Sequence, residues 1–539
     1  MVVLKDQLDE IRKRFGNEAI NRWRDFSLVI GYSISIDQEV KIELNPDRPD
    51  LFSFVTLNSA SQVYYGSRAA RNIRFERSKR PIYFKSSAKR LRPFFTMFEA
   101  TGHPIGDNMT DLIDYQEKLH ESIGKGRKKV SIGIHDRSRL NFPITYEGHE
   151  KNDVSFTTYD GFYGTAEQIL ESHPRGLEYK HLINSDNLVP IISDCKGNVL
   201  SMPPIVNGSI TKVERDSSRF LIDITGTEMR PVRAAAWMLA NYFNSLDYKI
   251  SLPEIVSESK EEHLKTWKEG SVMLSLDSVS SVLGVLIQAK TAKRNLRKMD
   301  LRASGDEYPI EVMIPGYRDD IMGEVDVIED LAKSIRYSKI PEKPISLPLS
   351  GKASEINDFS YMLRNIFLGS SFQEVMTYVV SAAGIYDELG LHSNYEIMNP
   401  KSSDFSFIRS ALYPGMLDFL KRNKNRSIPQ KIFEIGHVVE GDKEKVNACL
   451  MMIGPRANYA SMKSIADAIM QRISGTKVDV KLASIPAIID GRGGNVFVNG
   501  EVTGIIGEVH PKHLDFFELS FPVCFMELNL DILRRKSGH

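Results

Sequence analysis

A multidomain α+β protein with largely antiparallel sheets is predicted from three observations. The chain has 539 residues, apolar strands and amphipathic helices are mixed along it, and linker-like stretches interrupt it. One hydrophobic core does not organise that many residues, so several domains are expected. With 42% hydrophobic and 26% charged residues, the balance is that of a globular protein. Lys+Arg and Asp+Glu are both 70, so the formal net charge is zero and any nucleic-acid contact must come from local basic patches. Cys195, Cys449 and Cys524 match no metal-ligand spacing and suit a reducing cytosol. The opening MVVLKDQLDEIRKRFG reads as a charged amphipathic helix rather than a signal peptide. No apolar run approaches the roughly 20 residues that span a bilayer, so a cytoplasmic protein without membrane contact is expected.

Element by element, an opening helix leads into the strands FSLVIGYSISI and EVKIEL. NVLSMPPIV and RFLIDIT then read as strands, and the last third alternates helices such as NDFSYMLRNIFLG with the strands KIFEIGHVVE, VNACLMMIG and VCFMELNL. Linkers are expected over 251–270, which opens Ser251-Leu252-Pro253, and over the proline-rich 337–352; basic residues 68–92 suggest an earlier junction. These breaks predict modules at 1–88, 89–265, 266–345 and 346–539.

From Glu324 to Arg336, Val325, Ile328, Leu331 and Ile335 recur at helical spacing. Asp326, Glu329 and Asp330 fall on the opposite face, with Asp320 just before the helix. Lys333 is a partner for Glu329, but the like-charged pair Asp326 and Asp330 has no cation on the same helix. A hard cation such as Mg²⁺ would compensate that pair. The alternative is a solvated acidic face near a helix N-terminus, where the macrodipole favours carboxylates.

Pro315-Gly316-Tyr317-Arg318-Asp319-Asp320-Ile321 and its acidic helix resemble the B5 domain of phenylalanyl-tRNA synthetase β subunits. The resemblance implies that Asp320, Asp326, Glu329 and Asp330 are Mg²⁺-associated. Asn45-Pro46-Asp47-Arg48-Pro49-Asp50-Leu51 is similar to a signature of the family's first module, with Asp47 where Asn is usual. We read it as a structural corner, Arg48 bridging carboxylates and Pro49 fixing φ. PRGLEY at 174–179, LSMPPIVNG at 200–208 and DITGT at 223–227 follow the order of the B3/B4 domain. NPKS at 399–402, RSALYPGML at 409–417, KIFEIG at 431–436 and GIIGEVHP at 504–511 resemble the B6/B7 core. The modules would then be B1-like, B3/B4-like, B5-like and a class II synthetase-like B6/B7 module. The expected absence of the B2 and B8 domains points to the archaeal/eukaryotic type.

The resemblance implies a subunit of phenylalanine–tRNA ligase that works with a catalytic α subunit in an (αβ)₂ complex on tRNA(Phe), the α subunit binding most of the ATP. Adenylation needs cations on the ATP phosphates. Here the Arg-x-Glu position reads Ile432-Phe433-Glu434, and no Gly-x-Gly-x-x-Arg follows. GRGGN at 491–495 reads as a Gly-rich turn rather than a phosphate site. Proofreading of Tyr-tRNA(Phe) needs a second pocket, with a partner for the tyrosine hydroxyl and groups that position water. The B3/B4-like candidates are Asn207, Ser209, Asp223 and Thr225, with Tyr179 and His181 upstream. Asp223 and Thr225 sit two apart on a strand and face one way. The structural alternative gives Asp223 local backbone bonds and makes Asn207-Gly208 a hairpin turn. Arg71, Arg74, Arg90 and Arg92 are candidate RNA contacts, or else residues that bind neighbouring modules. The run 421–426 offers a second basic patch for tRNA or the α subunit. A non-catalytic RNA-binding scaffold and a free-standing ester hydrolase are the competing readings.

Overall fold

The computed structural model describes residues 2–183, 185, 187–257, 266–342, 344, 350–391 and 395–537. It divides into two compact units, residues 1–344 and 345–539. The division falls inside the predicted 337–352 linker, whose residues 343 and 345–349 lie outside the described ones.

The first unit opens with β1 (Val2–Gln7), β2 (Ser33–Ile36) and β3 (Glu39–Leu44), in the order β1-β3-β2. Along β3, buried and half-buried residues alternate, which turns Val40, Ile42 and Leu44 inward. Residues 2–7, expected to be helical, pair instead with β3. The predicted strand FSLVIGYSISI is helical over its first half. Asn17–Ile30 is one helix, because Ala19, Trp23, Phe26 and Ile30 recur at helical spacing and are buried together.

Nine strands form the main sheet: β4 (Phe75–Phe84), β5 (Phe94–Thr101), β6 (Val130–Asp136), β7 (Ile144–Glu150), β10 (Leu188–Asp194), β11 (Val199–Met202), β12 (Val206–Asn207), β13 (Arg219–Gly226) and β14 (Lys249–Val256). Their order is β12-β11-β10-β7-β4-β14-β5-β13-β6, and β8 (Ser155–Thr157) and β9 (Tyr163–Thr165) make a separate hairpin. β14 joins the two halves, pairing parallel to β4 and antiparallel to β5. The start of the predicted 251–270 linker is therefore sheet. Pro253 is tolerated there because the register shifts between Pro253 and Glu254. Residues 258–265 of that stretch lie outside the described ones. The predicted boundary at residue 88 falls inside the helix Ser86–Leu91, after β4 has already joined the large sheet.

The sheet's two faces bury different cores. Phe98, Ala100, Phe220, Ile222 and Ile224 face the helix Met229–Ser245 in a core shared with Trp23 and Phe54 of the N-terminal segment. Phe84, Phe95, Met97, Tyr146, Leu200 and Leu221 meet on the other face. Leu200 on β11 and Leu221 on β13 share that core although their strands stand far apart in the sheet order, so the sheet curls on itself.

The unit ends with β15 (Gly270–Leu274), β16 (Arg302–Ser304) and β17 (Ile310–Ile314), covered by the helix Glu324–Ile335. Gly316, in the turn after β17, lets the backbone pass the Trp237 ring, and a Cβ there would overlap the indole. Gly316→Ala is expected to cost about 1–3 kcal/mol by overpacking, read as a lower urea midpoint followed by tryptophan fluorescence.

In the second unit, β18 (Gln373–Glu374), β21 (Gln430–Glu440), β22 (Lys443–Ile453), β23 (Asp479–Leu482), β24 (Ile488–Val498), β25 (Glu501–Val509) and β26 (Val523–Asn529) form one sheet, in the order β18-β21-β22-β26-β25-β24-β23. All its pairs are antiparallel except β18–β21. A short separate pair holds β19 (Val380–Ser381) and β20 (Phe407–Ile408). Along β22, Ala448, Leu450 and Met452 enter one core and Cys449, Met451 and Ile453 the other. GRGGN, expected as a turn, is part of β24; a Cβ on Gly494 would strike the Lys481 carbonyl, which explains the glycine without a phosphate. Among the described residues no helix is long and apolar enough to cross a membrane.

Candidate functional site

A cavity of about 420 Å³ lies in the first unit beside β6 and β13. The helix Met109–Glu121 supplies Met109, Leu112 and Gln116 to its wall, and residues 201–208 close it from another side. Asp223 is at its closed end, 1% exposed. The period of β13 puts Asp223 on the opposite face from Ile222 and Ile224, and Gly133 of β6 stands directly across from it. A Cβ on Gly133 would overlap the Asp223 carboxylate, so this glycine makes the space the acid occupies.

His135, two residues along β6, holds Asp223: its Nε2 is 2.7 Å from Oδ2, and its Nδ1 is 2.7 Å from the Thr211 hydroxyl. With Asp223 ionised, Nε2–H donates and Nδ1 accepts from Thr211. The Ser201 hydroxyl donates to the same Oδ2 at 3.4 Å. Oδ1 has no protein hydrogen bond among the described residues, which leaves it for a ligand donor. Arg127 braces the wall by donating to the carbonyls of Pro204 and Ile205 and to Glu117.

Of the predicted editing residues, Asn207 and Asp223 line the cavity; Ser209 and Thr225 do not. Thr225 is fully buried and accepts from Arg92 Nε at 3.1 Å. Ser209 begins a short 3₁₀ turn beyond the lining. Gly208 is not in a hairpin turn but bridges to Thr158. Tyr179 is core, under the Arg127 guanidinium, and His181 is exposed. Sequence reasoning does not find Gly133, His135 or Ser201. Each matters only through a strand pairing or a side chain distant in sequence, although a glycine interrupting the apolar run VSIGI is a usable signal.

Next to the cavity, His120 Nε2 accepts from the Ile132 amide at 2.8 Å, and its Nδ1 lies 3.4 Å from Glu117. Burial pushes the His120 pKa below 6.5, because a charged imidazole would lose water and the Ile132 bond. The unfolded chain therefore takes up this proton first as the pH falls. Stability from neutral His120 is complete above about 6.5 and declines below it. Urea midpoints at pH 7.5 and 5.5 should separate more for the native chain than for His120→Gln.

The four acids proposed for Mg²⁺ all have protein partners. Arg318 donates to Asp320 through Nε and Nη2 at 2.9 and 2.7 Å, and to Asp330 through Nη2 at 2.6 Å. Asp326 caps its own helix by accepting from the Met322 and Gly323 amides, and Glu329 pairs with Lys333 at 3.0 Å. Among the described residues no three His, Cys, Asp or Glu converge to hold a metal. A guanidinium from the preceding turn compensates Asp320 and Asp330, and helix-end amides satisfy Asp326, so a cation does not fit these donors as they stand. Burial pushes Asp320 up, but Arg318 outweighs it and holds the carboxyl below its usual range; burial wins at Asp330, which is raised. Arg48 makes a two-pronged pair with Asp50, both oxygens at 2.8 Å, and among the described residues it bonds no second carboxylate, so the expected corner exists with one bridged acid.

Two of the predicted RNA contacts, Arg71 and Arg92, are buried and have protein partners. Arg71, 4% exposed, binds Asp300 and stacks on Tyr317. Arg92, 2% exposed, donates to Thr225 and to the Arg127 carbonyl. Both guanidiniums are closed off from RNA; Arg74 and Arg90 are exposed. In the 421–426 run, Lys421 and Lys424 pair with Glu518 and Arg422 with Asp418.

In the second unit Glu434 accepts from Arg409 Nη1 at 2.6 Å and from the Thr377 hydroxyl at 2.7 Å, all within the fold. Glu527, fully engaged, accepts from the Leu412 and Tyr413 amides at the start of the helix Tyr413–Arg422 and from Asn447.

Residues 272–337 match the family described as tRNA synthetase B5 domain, and residues 340–530 match phenylalanyl tRNA synthetase beta chain CLM domain. The phenylalanine--tRNA ligase beta subunit of Thermoplasma volcanium is 39% identical over 99% of both chains. Those of Thermoplasma acidophilum and Archaeoglobus fulgidus are 36% and 32% identical over 98% and 92% of this chain, and 98% and 91% of theirs. Among solved structures, an N-terminal fragment of the phenylalanyl-tRNA synthetase beta subunit from Pyrococcus horikoshii aligns with a TM-score of 0.56 at 25% identity, over 62% of this chain and 99% of that one.

Proposed function

We propose that this chain, which belongs to the phenylalanine--tRNA ligase beta-subunit family, is the partner of a catalytic alpha subunit in charging tRNA(Phe), and that its 420 Å³ cavity clears tyrosine misattached to that tRNA. The ligase is the complex, an (αβ)₂ assembly in the cytoplasm with ATP held by the alpha subunit. The second unit is a class II-like fold without adenylation chemistry. Its Arg409 and Glu434 are engaged with one another and with Thr377, which supports a packing role over a grip on triphosphate.

The observation that carries the editing reading is the closed end of the cavity. Asp223 is held on Oδ2 by His135 and Ser201 and has Oδ1 unpartnered beside an apolar wall. A tyrosine phenol fills that wall and donates to Oδ1; a phenylalanine ring leaves the carboxylate unpaired. A site built around one hydroxyl discriminates strongly against the ligand that lacks it. The test is deacylation by the αβ complex. Tyr-tRNA(Phe) should be hydrolysed much faster than Phe-tRNA(Phe), while equal rates, or binding without hydrolysis, would leave only an RNA-binding scaffold.

A further inference from the structure

We infer that a cationic rim at one end of the nine-stranded sheet binds phosphodiester groups of RNA, with Arg219 and Lys249 as its contacts. The inference rests on the reading that this subunit serves tRNA(Phe), and none of the rim's residues lines the cavity. Strand register builds the rim. Thr101, at the end of β5, pairs with Arg219 of β13 on one side and with Lys249 of β14 on the other. Directly opposed residues project from the same face, so the two cations flank one hydroxyl, about 10 Å apart across two strand spacings. Both are exposed, and neither has an ion pair among the described residues.

Two residues along the same face of β5, positive charge is already in excess. Glu99, 2% exposed, accepts from Arg80 at 2.7 Å, from Arg137 at 2.8 Å and from the Ser78 hydroxyl at 2.9 Å, so one carboxylate serves two guanidiniums. Burial pulls the Arg137 pKa below its ordinary value; Glu99 and Asp136 oppose this, while Arg80 and Arg219 add to it. Asp136 stands opposite Phe220, on the other face, and its carboxylate is taken by the Ser138 amide and the Ser217 hydroxyl. Glu76, beside Ser251 of β14, bonds none of the four cations among the described residues. Such a surplus costs self-repulsion that a bound anion relieves. The rim's neutral members are the hydroxyls of Ser78 and Thr101. A protein partner needs an apolar anchor at its centre, whereas a chain of phosphates needs only spaced cations, best supplied by the arginine fork.

The experiment uses the αβ complex and measures tRNA(Phe) affinity by filter binding across a potassium chloride series, with the melting temperature as a control on folding. Combining Arg219→Ala with Lys249→Ala should weaken binding about 10-fold and reduce the slope of log affinity against log salt by about 2. Arg219→Lys should keep most of that slope. Native affinity and slope in the double variant overturn the inference. So does an equal loss in Lys41→Ala, a cation already paired with Glu43. Competition by polyglutamate as strong as by poly(U) also overturns it and assigns the rim to an acidic protein. Poly(U) binding that depends on Arg219 and Lys249, in a complex that does not bind tRNA(Phe), upholds the rim while overturning the tRNA(Phe) reading.

Discussion

Asp223→Asn should slow deacylation of Tyr-tRNA(Phe) by about 100-fold and leave charging with phenylalanine unchanged. Asparagine keeps the shape and can still accept from His135 Nε2, so the strand pairing with Gly133 should survive. What is lost is the charge on the oxygen facing the cavity and its strength as an acceptor. The measurement is the single-turnover hydrolysis rate of pre-formed Tyr-tRNA(Phe), with the melting temperature as a control on folding. A native rate in this variant would remove Asp223 from the chemistry. Gly133→Ala reaches the same residue by steric pressure and should reproduce the loss with an additional fall in stability.

Arg318→Met should be strongly destabilising. It leaves Asp320 and Asp330 facing each other with no guanidinium between them, in a region where Arg318 itself is 2% exposed. Removing one partner from a buried ionic cluster costs about 3–5 kcal/mol, a large share of a marginal total. Asp330 is already raised above 3.8 by burial, and without Arg318 it should rise further. A carboxyl whose folded pKa lies above its unfolded one destabilises fully at high pH and is relieved as protons bind. The variant should therefore recover part of its stability between pH 7.5 and 5, opposite to the trend set by His120 in the native chain. Millimolar Mg²⁺ should leave the native melting temperature unmoved. A Mg²⁺-dependent rise there, or a variant that melts like the parent, would contradict the arginine-centred reading of this cluster.

Local pattern makes some of this legible in the sequence and long-range pairing conceals the rest. The alternation in RFLIDITG marks a strand with an acid on one face, so Asp223 stands out from its immediate neighbours alone. His135 does not, because its meaning comes from a partner 88 residues away. The basic run around 68–92 misleads for the same reason: Arg71 and Arg92 find their partners 229 and 133 residues on. Like-charged Asp326 and Asp330 suggest a cation because helical spacing is visible, whereas the folding-back of Arg318 is not. The helix Asn17–Ile30 is concealed by a run of β-prone residues at its end, where burial against the core outweighs intrinsic preference.

The position of β14 has a consequence for synthesis on the ribosome. The strand that locks the two halves together is the last of the nine to emerge, after β4 and β5, between which it inserts, have waited for the intervening chain. Until residue 256 is out, the nascent polypeptide presents two strand edges, one on β4 and one on β5, without their final partner. Translation speed across the second quarter of the message, and chaperone cover during it, thus bear directly on how much of this subunit reaches its partner.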